Sequence, residues 1–285
     1  MALPSAGMVA DATAKTPSSA ISDFGLLVRL GDLPSAWWDD VNTSDGTRGR
    51  ASDPTGTVEY AVDWIDFDSV GRTGIARVMV PGQHGTLTPI GLRLYAPNTR
   101  NASVAATDTF GQHAAYRAED ELVWPGHDLN DRTSHQRHGT AGGGISVGGV
   151  AEDAAINMLG PATQATATGH EVTFPDVAGL EPGTDDWTVL ASIRQDDEVN
   201  RLAVTSRSSS SDNGYEFIIG RSGAELARDV FLRSNDSVIR IGGTGNPLVS
   251  NGGEYQLSSF TIDTAAQELS YRVEGSSSSV SDSGF

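Results

Sequence analysis

The chain has 285 residues, a formal net charge of -18, a single lysine at Lys15 and no cysteine. A surface of that sign repels polyphosphate and disfavours a nucleic-acid role, and the missing thiols remove disulfides and thiolate zinc sites. With 33 glycines, 12 prolines and a hydrophobic fraction of 38%, the composition fits two all-β domains of ordinary size rather than one large α/β unit.

Residues 1–20, MALPSAGMVADATAKTPSSA, start without a basic cluster. Their apolar runs are broken by Pro4, Ser5, Gly7 and Asp11, so neither an export signal nor a membrane span is expected. No later window offers about 18 consecutive apolar residues either. The Ala, Ser, Thr and Pro content suits an extended arm that orders on a partner.

Strand periodicity begins at Phe24. Phe24, Leu26, Val28 and Leu30 fall on every second residue, which places them on one face of a strand and Arg29 on the other. Tyr60, Val62 and Trp64 alternate with Glu59 and Asp63 over 59–67. A third strand over 75–80 is expected to stop at Pro81, which cannot donate to a ladder, and a fourth over 90–95 to stop at Ala96, Pro97 and Asn98. In the second half Trp187, Val189 and Ala191 alternate with Thr188, Leu190 and Ser192. Tyr215, Phe217 and Ile219 do the same, as do Leu269, Tyr271 and Val273. Residues 263–267 have the length of a hairpin loop, and 206–213 form another tip.

Several motifs resemble known families. Ser22, Asp23 and Phe24 through Leu30, Asp45-Gly46-Thr47 with Arg50, Asp53-Pro54-Thr55-Gly56, Asp63-Trp64, Gly74-Ile75-Ala76 with Val80-Pro81, and Leu94-Tyr95 to Asn98 resemble a domain family of unknown function. That family reads "DFPVLVxL", "DIRFTDxxG", "WD", "AxVWVKVP" and "YYGN", and it is common in bacteriophage tail proteins and prokaryotic surface proteins. The resemblance covers about a quarter of the chain. The chain departs from it at Gly25, where proline is usual, and at 47–50, where TRGR replaces DIRF.

Members of that family are typically followed by a concanavalin-A-like or laminin-G-like domain, and the second half resembles one. Residues 128–140 are similar to a "DSTGNGNDGT" loop, 186–194 to "FTVSAWVK" and 213–220 to "GYxLxI". Residues 253–263 with 268–275 are similar to the "GxWHHVAATYD" and "LRLYVDG" pair. Such a domain closes with a further strand, whereas only 276–285 remain here, opening on four serines. The chain is therefore expected either to continue beyond Phe285 or to leave an edge for a neighbouring subunit.

The expected architecture is all-β: an arm over 1–20, a β-sandwich over 21–108 and a concanavalin-A-like, jelly-roll-like antiparallel sandwich over 109–285. The resemblance implies a non-enzymatic virion component, a phage tail fibre, tail spike or capsid-attached fibre. Its partners would be other virion proteins through the arm, further copies of itself and host-surface glycans, without membrane insertion. The rivals are a glycan-cleaving enzyme on the same scaffold and a cell-surface adhesion module.

Few residues point to chemistry. His127, His135 and His138 lie near Asp128 and Asp131, but nothing fixes a His-x-x-His pair on one face of a flexible loop, so solvated histidines are the ordinary reading. No cofactor is required by the sequence; a calcium ion at a loop edge would take oxygens from Asp128, Asp131 or Asp212. Glycoside hydrolysis needs two carboxylates across the sugar, and Glu119 and Glu121 share a face only if their segment is a strand. No nucleophile elbow appears, and the glycines at 142–144 and 148–149 lack the lysine of a phosphate loop. Trp37 and Trp38 either stack on a glycan or plug a core or interface.

Overall fold

The computed structural model describes residues 9–14, 21–84, 90–126, 128–142, 145–149, 162–165, 172–175, 180, 186–193, 202–205, 214–219, 228–234, 237–242, 256–263, 265–266, 268–273 and 276–281. Among these, strands dominate and Ser35–Asp40 is the one α-helix, α1. The chain divides into two compact units, one of Met1–Thr140, Ser146–Ala151 and Met158–Gln164, the other of Ala141–Ile145, Glu152–Asn157 and Ala165–Phe285.

Seven strands of the first unit form its two larger antiparallel sheets: β1 Val9–Ala14, β2 Ile21–Arg29, β3 Arg50–Ser52, β4 Glu59–Tyr60, β5 Val62–Asp68, β6 Thr73–His84 and β7 Ile90–Tyr95. Their spatial orders are β1-β7-β3-β4 and β2-β6-β5. The alternation read from the sequence holds in β2, where Val28 is buried, Phe24 and Leu26 pack against the core and Leu27 is 57% exposed. The expected strand over 59–67 is two strands. Tyr60 in β4 pairs with Ala51, whereas Val62 in β5 pairs with Val78 in the other sheet, so the chain changes sheets at Ala61.

Two strand limits differ from expectation. β6 runs through Pro81, because Phe24 pairs with Val80 and Ser22 with Gln83, leaving Pro81 and Gly82 opposite Asp23 in a bulge. Gly82 sits at φ 90 and Asp23 at φ 48, and the Gly82 N–H donates to Asp23 Oδ1 at 3.0 Å. A bulge is a place inside a ladder where proline costs nothing in lost pairing. The N-terminal arm also differs: Val9–Ala14 is not free but pairs along β7, from Val9 against Tyr95 to Ala14 against Ile90.

Both sheets share one core. Val28, Val62 and Val78 from one meet Ala51, Leu92 and Leu94 from the other, and α1 inserts Trp37 and Trp38 among them. Trp37 stands edge-on to Trp38 with centroids 5.0 Å apart, and Trp38 stacks on Phe67 at 5.7 Å. Burying an indole leaves its N–H needing an acceptor. Trp37 Nε1 donates to the Leu94 carbonyl and Trp38 Nε1 to the Leu30 carbonyl, each at 3.1 Å.

The second unit carries two four-stranded antiparallel sheets. One orders Trp187–Ile193, Gln256–Asp263, Glu268–Val273 and Ser276–Ser281 side by side; the other orders Leu202–Thr205, Gly214–Ile219, Arg228–Ser234 and Ser237–Gly242. The loop at 264–267 joins Asp263 to its ladder partner Glu268, as its length predicts. The serine-rich tail is the fourth strand of its sheet, with Val273 against Ser276 and Glu268 against Ser281. A strand therefore forms where the sequence announces none: ladder bonds come from the backbone, and a serine run supplies them without an apolar alternation.

Candidate functional site

Among the described residues, a group of ionisable side chains lies where residues 110–126 and 128–138 cover the face of the β2-β6-β5 sheet that carries Asp63 and Arg77. The sequence reading gives these residues to the second domain, yet their hydrogen bonds run to the first unit. The Val62 N–H donates to the Phe110 carbonyl at 3.2 Å, and Arg77 Nε donates to the Ala115 carbonyl at 3.0 Å. Asp63 and Arg77 face each other across β5 and β6. The Tyr116 hydroxyl donates to Asp63 Oδ2 at 2.7 Å, and the Arg77 guanidinium sits 4.7 Å above the Tyr116 ring. Arg132 stands 3.8 Å from Asp63 Oδ1 and 2.9 Å from Asp128 Oδ2.

Asp63 is 2% exposed and Tyr116 6%. Burial pushes the Asp63 carboxyl above its usual range, against the Tyr116 hydrogen bond and the Arg132 charge, which favour the anion. Burial likewise pushes the Tyr116 phenol up, and the neighbouring Asp63 charge adds to it. The pair thus holds one hydrogen bond inside the fold, donated by the Tyr116 phenol and accepted by Asp63 Oδ2. General acid or base work requires the group to reach a substrate atom, and enclosure turns this pair instead into a fastening between β5 and the cover.

Asp131 organises the rest of the cover. Its Oδ1 accepts from the N–H groups of Val123 at 3.1 Å and Thr133 at 3.0 Å; its Oδ2 accepts from the Arg137 N–H at 2.9 Å and the Thr133 hydroxyl at 2.8 Å. Burial alone raises such a carboxyl, but these donors outweigh it, and the Asp131 carboxyl lies below the usual carboxylate range. Both oxygens of the proposed calcium ligand are therefore occupied by its own loop. Asp128 is engaged too, by Arg132 and by the Asn130 side chain at 2.7 Å. Asp212 and His127 lie outside the described residues.

The remaining candidates are dispersed. His138 Nδ1 accepts from the Asp131 N–H at 3.2 Å, while His135 Nε2 faces Glu121 Oε2 at 3.7 Å. Among the described residues no three His, Asp or Glu side chains converge as a metal cage. Glu119 falls in a turn closed by the Asp120 N–H on the Arg117 carbonyl at 3.1 Å, and Glu121 is held by Arg137 at 2.5 Å. The segment is not a strand, so the two glutamates do not form the same-face pair that hydrolysis would use. Trp37 and Trp38 are 0% and 4% exposed; no pyranose face reaches a ring enclosed that far.

A second fastening is built on the TRGR segment at 47–50. Arg50, 5% exposed, donates to the carbonyls of Gly49 at 2.7 Å, Thr47 at 3.1 Å and Ala102 at 2.5 Å, and its Nε lies 3.2 Å from Glu59 Oε1. Arg48 donates to the Asn101 carbonyl at 2.6 Å, and the Asn101 side chain returns a bond to the Arg48 carbonyl at 3.0 Å. Both arginines tie the 98–104 loop to β3. Gly46, ahead of them, and Gly49, between them, make room for Trp64: a Cβ at Gly46 would lie 2.9 Å from Trp64 Cβ, and one at Gly49 would overlap the indole ring. Gly25 faces Arg77, whose Cζ would lie 2.5 Å from an added Cβ.

Sequence reasoning missed Asp63, Tyr116 and Arg132. Asp63 reads as a solvated strand position by alternation, and only the pairing register places it opposite Arg77. No family model matches the chain, and neither a curated protein nor a solved structure matches it. Among the described residues, no helix is long and apolar enough to cross a membrane.

Proposed function

We propose that the protein is a structural component of a virion, a tail fibre, tail spike or capsid-attached fibre, whose units are β-sandwiches and whose second unit is a concanavalin-like contact module. The observation that carries this reading is how the first unit uses its charges. Asp63, Arg77 and Arg132 fasten the 110–138 cover, and Arg48 and Arg50 fasten the 98–104 loop. A cysteine-free chain has no disulfides to hold long loops, and cross-ties of this kind suit a module that transmits contact rather than one that opens for catalysis. The motifs of 22–98 add the phage-tail context, which is an argument by resemblance.

In this reading the second unit contacts host-surface glycans or neighbouring subunits. Weak sites would gain strength by repetition on a symmetric particle, because linked sites raise avidity without new contacts. Immunogold labelling of particles from the producing culture tests the assignment, with regular label at one particle position expected. Label confined to the particle-free fraction, together with a monomeric mass by light scattering, overturns it. Retention of the purified protein on host-envelope polysaccharide assigns the second unit to glycans; labelled particles without retention assign it to subunit contact.

A further inference from the structure

We infer that Asn42 is a site of covalent glycan attachment, its side-chain amide taking a sugar from a donor activated at C1 as a phosphate ester. This goes beyond the virion reading and does not depend on it, because a transferase reads an acceptor segment and not the assembly that the protein later joins. The chain carries three Asn-x-Ser segments, at 42–44, 101–103 and 235–237, the acceptor pattern for N-glycosylation. The pattern alone does not choose among them; the side-chain bonding does.

Attachment needs an amide nitrogen open to attack and, two positions on, a hydroxyl for the enzyme to hold. Asn42 lies in the loop after α1 and is exposed, as are Ser44 and Thr99. Its Oδ1 accepts the Thr99 N–H at 2.7 Å, so the side chain is held by its oxygen end. Among the described residues neither Asn42 Nδ2 nor the Ser44 hydroxyl has a hydrogen-bond partner. An N-substituted amide keeps its oxygen as an acceptor, and the Thr99 bond survives attachment. Asn101 is the opposite case. It is half-buried, its Nδ2 donates to the Arg48 carbonyl at 3.0 Å, and the Ser103 hydroxyl donates to Asp45 Oδ2 at 2.7 Å. Both ends of that segment are committed, and using them would undo a tie between the 98–104 loop and β3. Asn235 and Asp236 lie outside the described residues.

The transfer balances. Nδ2 forms a bond to C1 of the sugar, the bond from C1 to the phosphate oxygen breaks with its electron pair leaving on that oxygen, and Nδ2 gives up one proton. Nothing is oxidised or reduced. The donor is a sugar phosphate ester carried on a polyprenyl lipid or on a nucleotide, and both present the same activated carbon. The frame behind Asn42 is firm: the Val41 N–H donates to the Trp38 carbonyl at 3.1 Å, and Asn98 Nδ2 donates to the Asp40 carbonyl at 3.0 Å. A glycan on the exposed loop adds bulk and solvation to the surface and leaves those bonds in place.

The spacing of the arginines makes a clean test possible. Tryptic cleavage after Arg29 and Arg48, and after Arg100 and Arg117, leaves Asn42 and Asn101 as the sole asparagines of separate peptides, 30–48 and 101–117. The native full-length protein from the producing culture is digested and mapped by mass spectrometry. Sugar mass is expected on 30–48, with 101–117 bare. Ser44→Ala made in the same culture should lose that mass and Ser44→Thr should keep it, which separates enzyme-read attachment from chemical glycation; neither change touches a bond of the fold. Glycan-free protein from another host then identifies the donor: labelling by membranes of the producing cells means a lipid-carried sugar, labelling by their soluble extract with nucleotide sugars a nucleotide-carried one. A bare 30–48 peptide in the native protein overturns the inference. So does sugar on 101–117 in its place, or a Ser44→Ala protein that is still modified at Asn42.

Discussion

Two buried aspartates hold the same cover and are driven in opposite directions. Asp131 sits in an irregular loop, where three backbone N–H groups and one hydroxyl converge on its carboxylate, and its carboxyl lies below the usual range. Asp63 sits in a strand, where its own backbone is committed to the ladder, and it must draw on a phenol at 2.7 Å and an arginine at 3.8 Å. Burial wins there and the carboxyl rises. A loop can wrap its N–H groups around a charge; a strand cannot. Both carboxylates are shut off from solvent, and the deeper one, Asp63, with fewer donors is the one burial raises, while Asp131 with its four donors is a structural anchor.

The comparison can be broken from either side. The largest expected effect lies outside both aspartates and calibrates them: Arg50→Ala strands Glu59, whose side chain is 5% exposed, without its cation. Losing one partner of a buried pair costs about 3 to 5 kcal/mol, read as a lower urea midpoint at unchanged slope. Replacing both partners, as Arg50→Met with Glu59→Leu, should recover much of it. Asp131→Ala comes next, with about 3 kcal/mol lost because several buried donors lose their acceptor together. Hydrogen exchange should rise first at Val123, Thr133 and Arg137, the N–H groups that carboxylate accepts from.

Smaller effects come from the glycines. Gly49→Ala pushes a methyl group into the Trp64 ring, and overpacking of this kind costs about 1 to 3 kcal/mol. Its φ of -75 is ordinary for any residue, so the loss would report packing alone. Gly25→Ala displaces a flexible guanidinium rather than a ring, and a cost of about 1 kcal/mol is expected. Its signature is local: faster exchange at Ala115 and Tyr116, where Arg77 is anchored.

What the sequence discloses follows from the range of the forces involved. β2, β7 and the strands at 187–193, 214–219 and 268–273 are legible because alternation is local. The bulge at Asp23 and Gly82 is not, since Pro81 reads as a stop unless the register across β2 is known. The strand at Ser276–Ser281 escapes because its ladder is backbone alone. The site is less legible than the fold. His135, Asp128 and Asp131 stand out as ligand types close in sequence, and the loop engages them internally. Asp63, Tyr116 and Arg132 are separated by 53 and 16 positions in the chain, and only the packing of 110–138 onto β5 brings them together.

The pH dependence separates the two aspartates most sharply. Asp131 has a folded-state pKa below its unfolded value, so between the two the unfolded chain binds more protons. Its contribution is present above the ordinary carboxylate range and is lost as pH falls toward the folded value. For Asp63 the order is reversed: the folded protein binds the extra proton, and stability falls as pH rises from the unfolded value through the raised folded one. Asp63→Asn keeps an oxygen to accept the Tyr116 hydroxyl and removes the buried charge. Above that window the variant should match or exceed the parent in urea midpoint, while in acid the two converge or the variant falls slightly behind. Asp131→Asn should do the opposite, losing most at neutral pH and least in acid. Midpoints measured from about pH 3 to 8, a range chosen to bracket ordinary carboxylates, decide the matter. A variant at Asp63 that is most destabilised at neutral pH would show that its anion is a stabilising anchor like Asp131, and the contrast between loop and strand would fail.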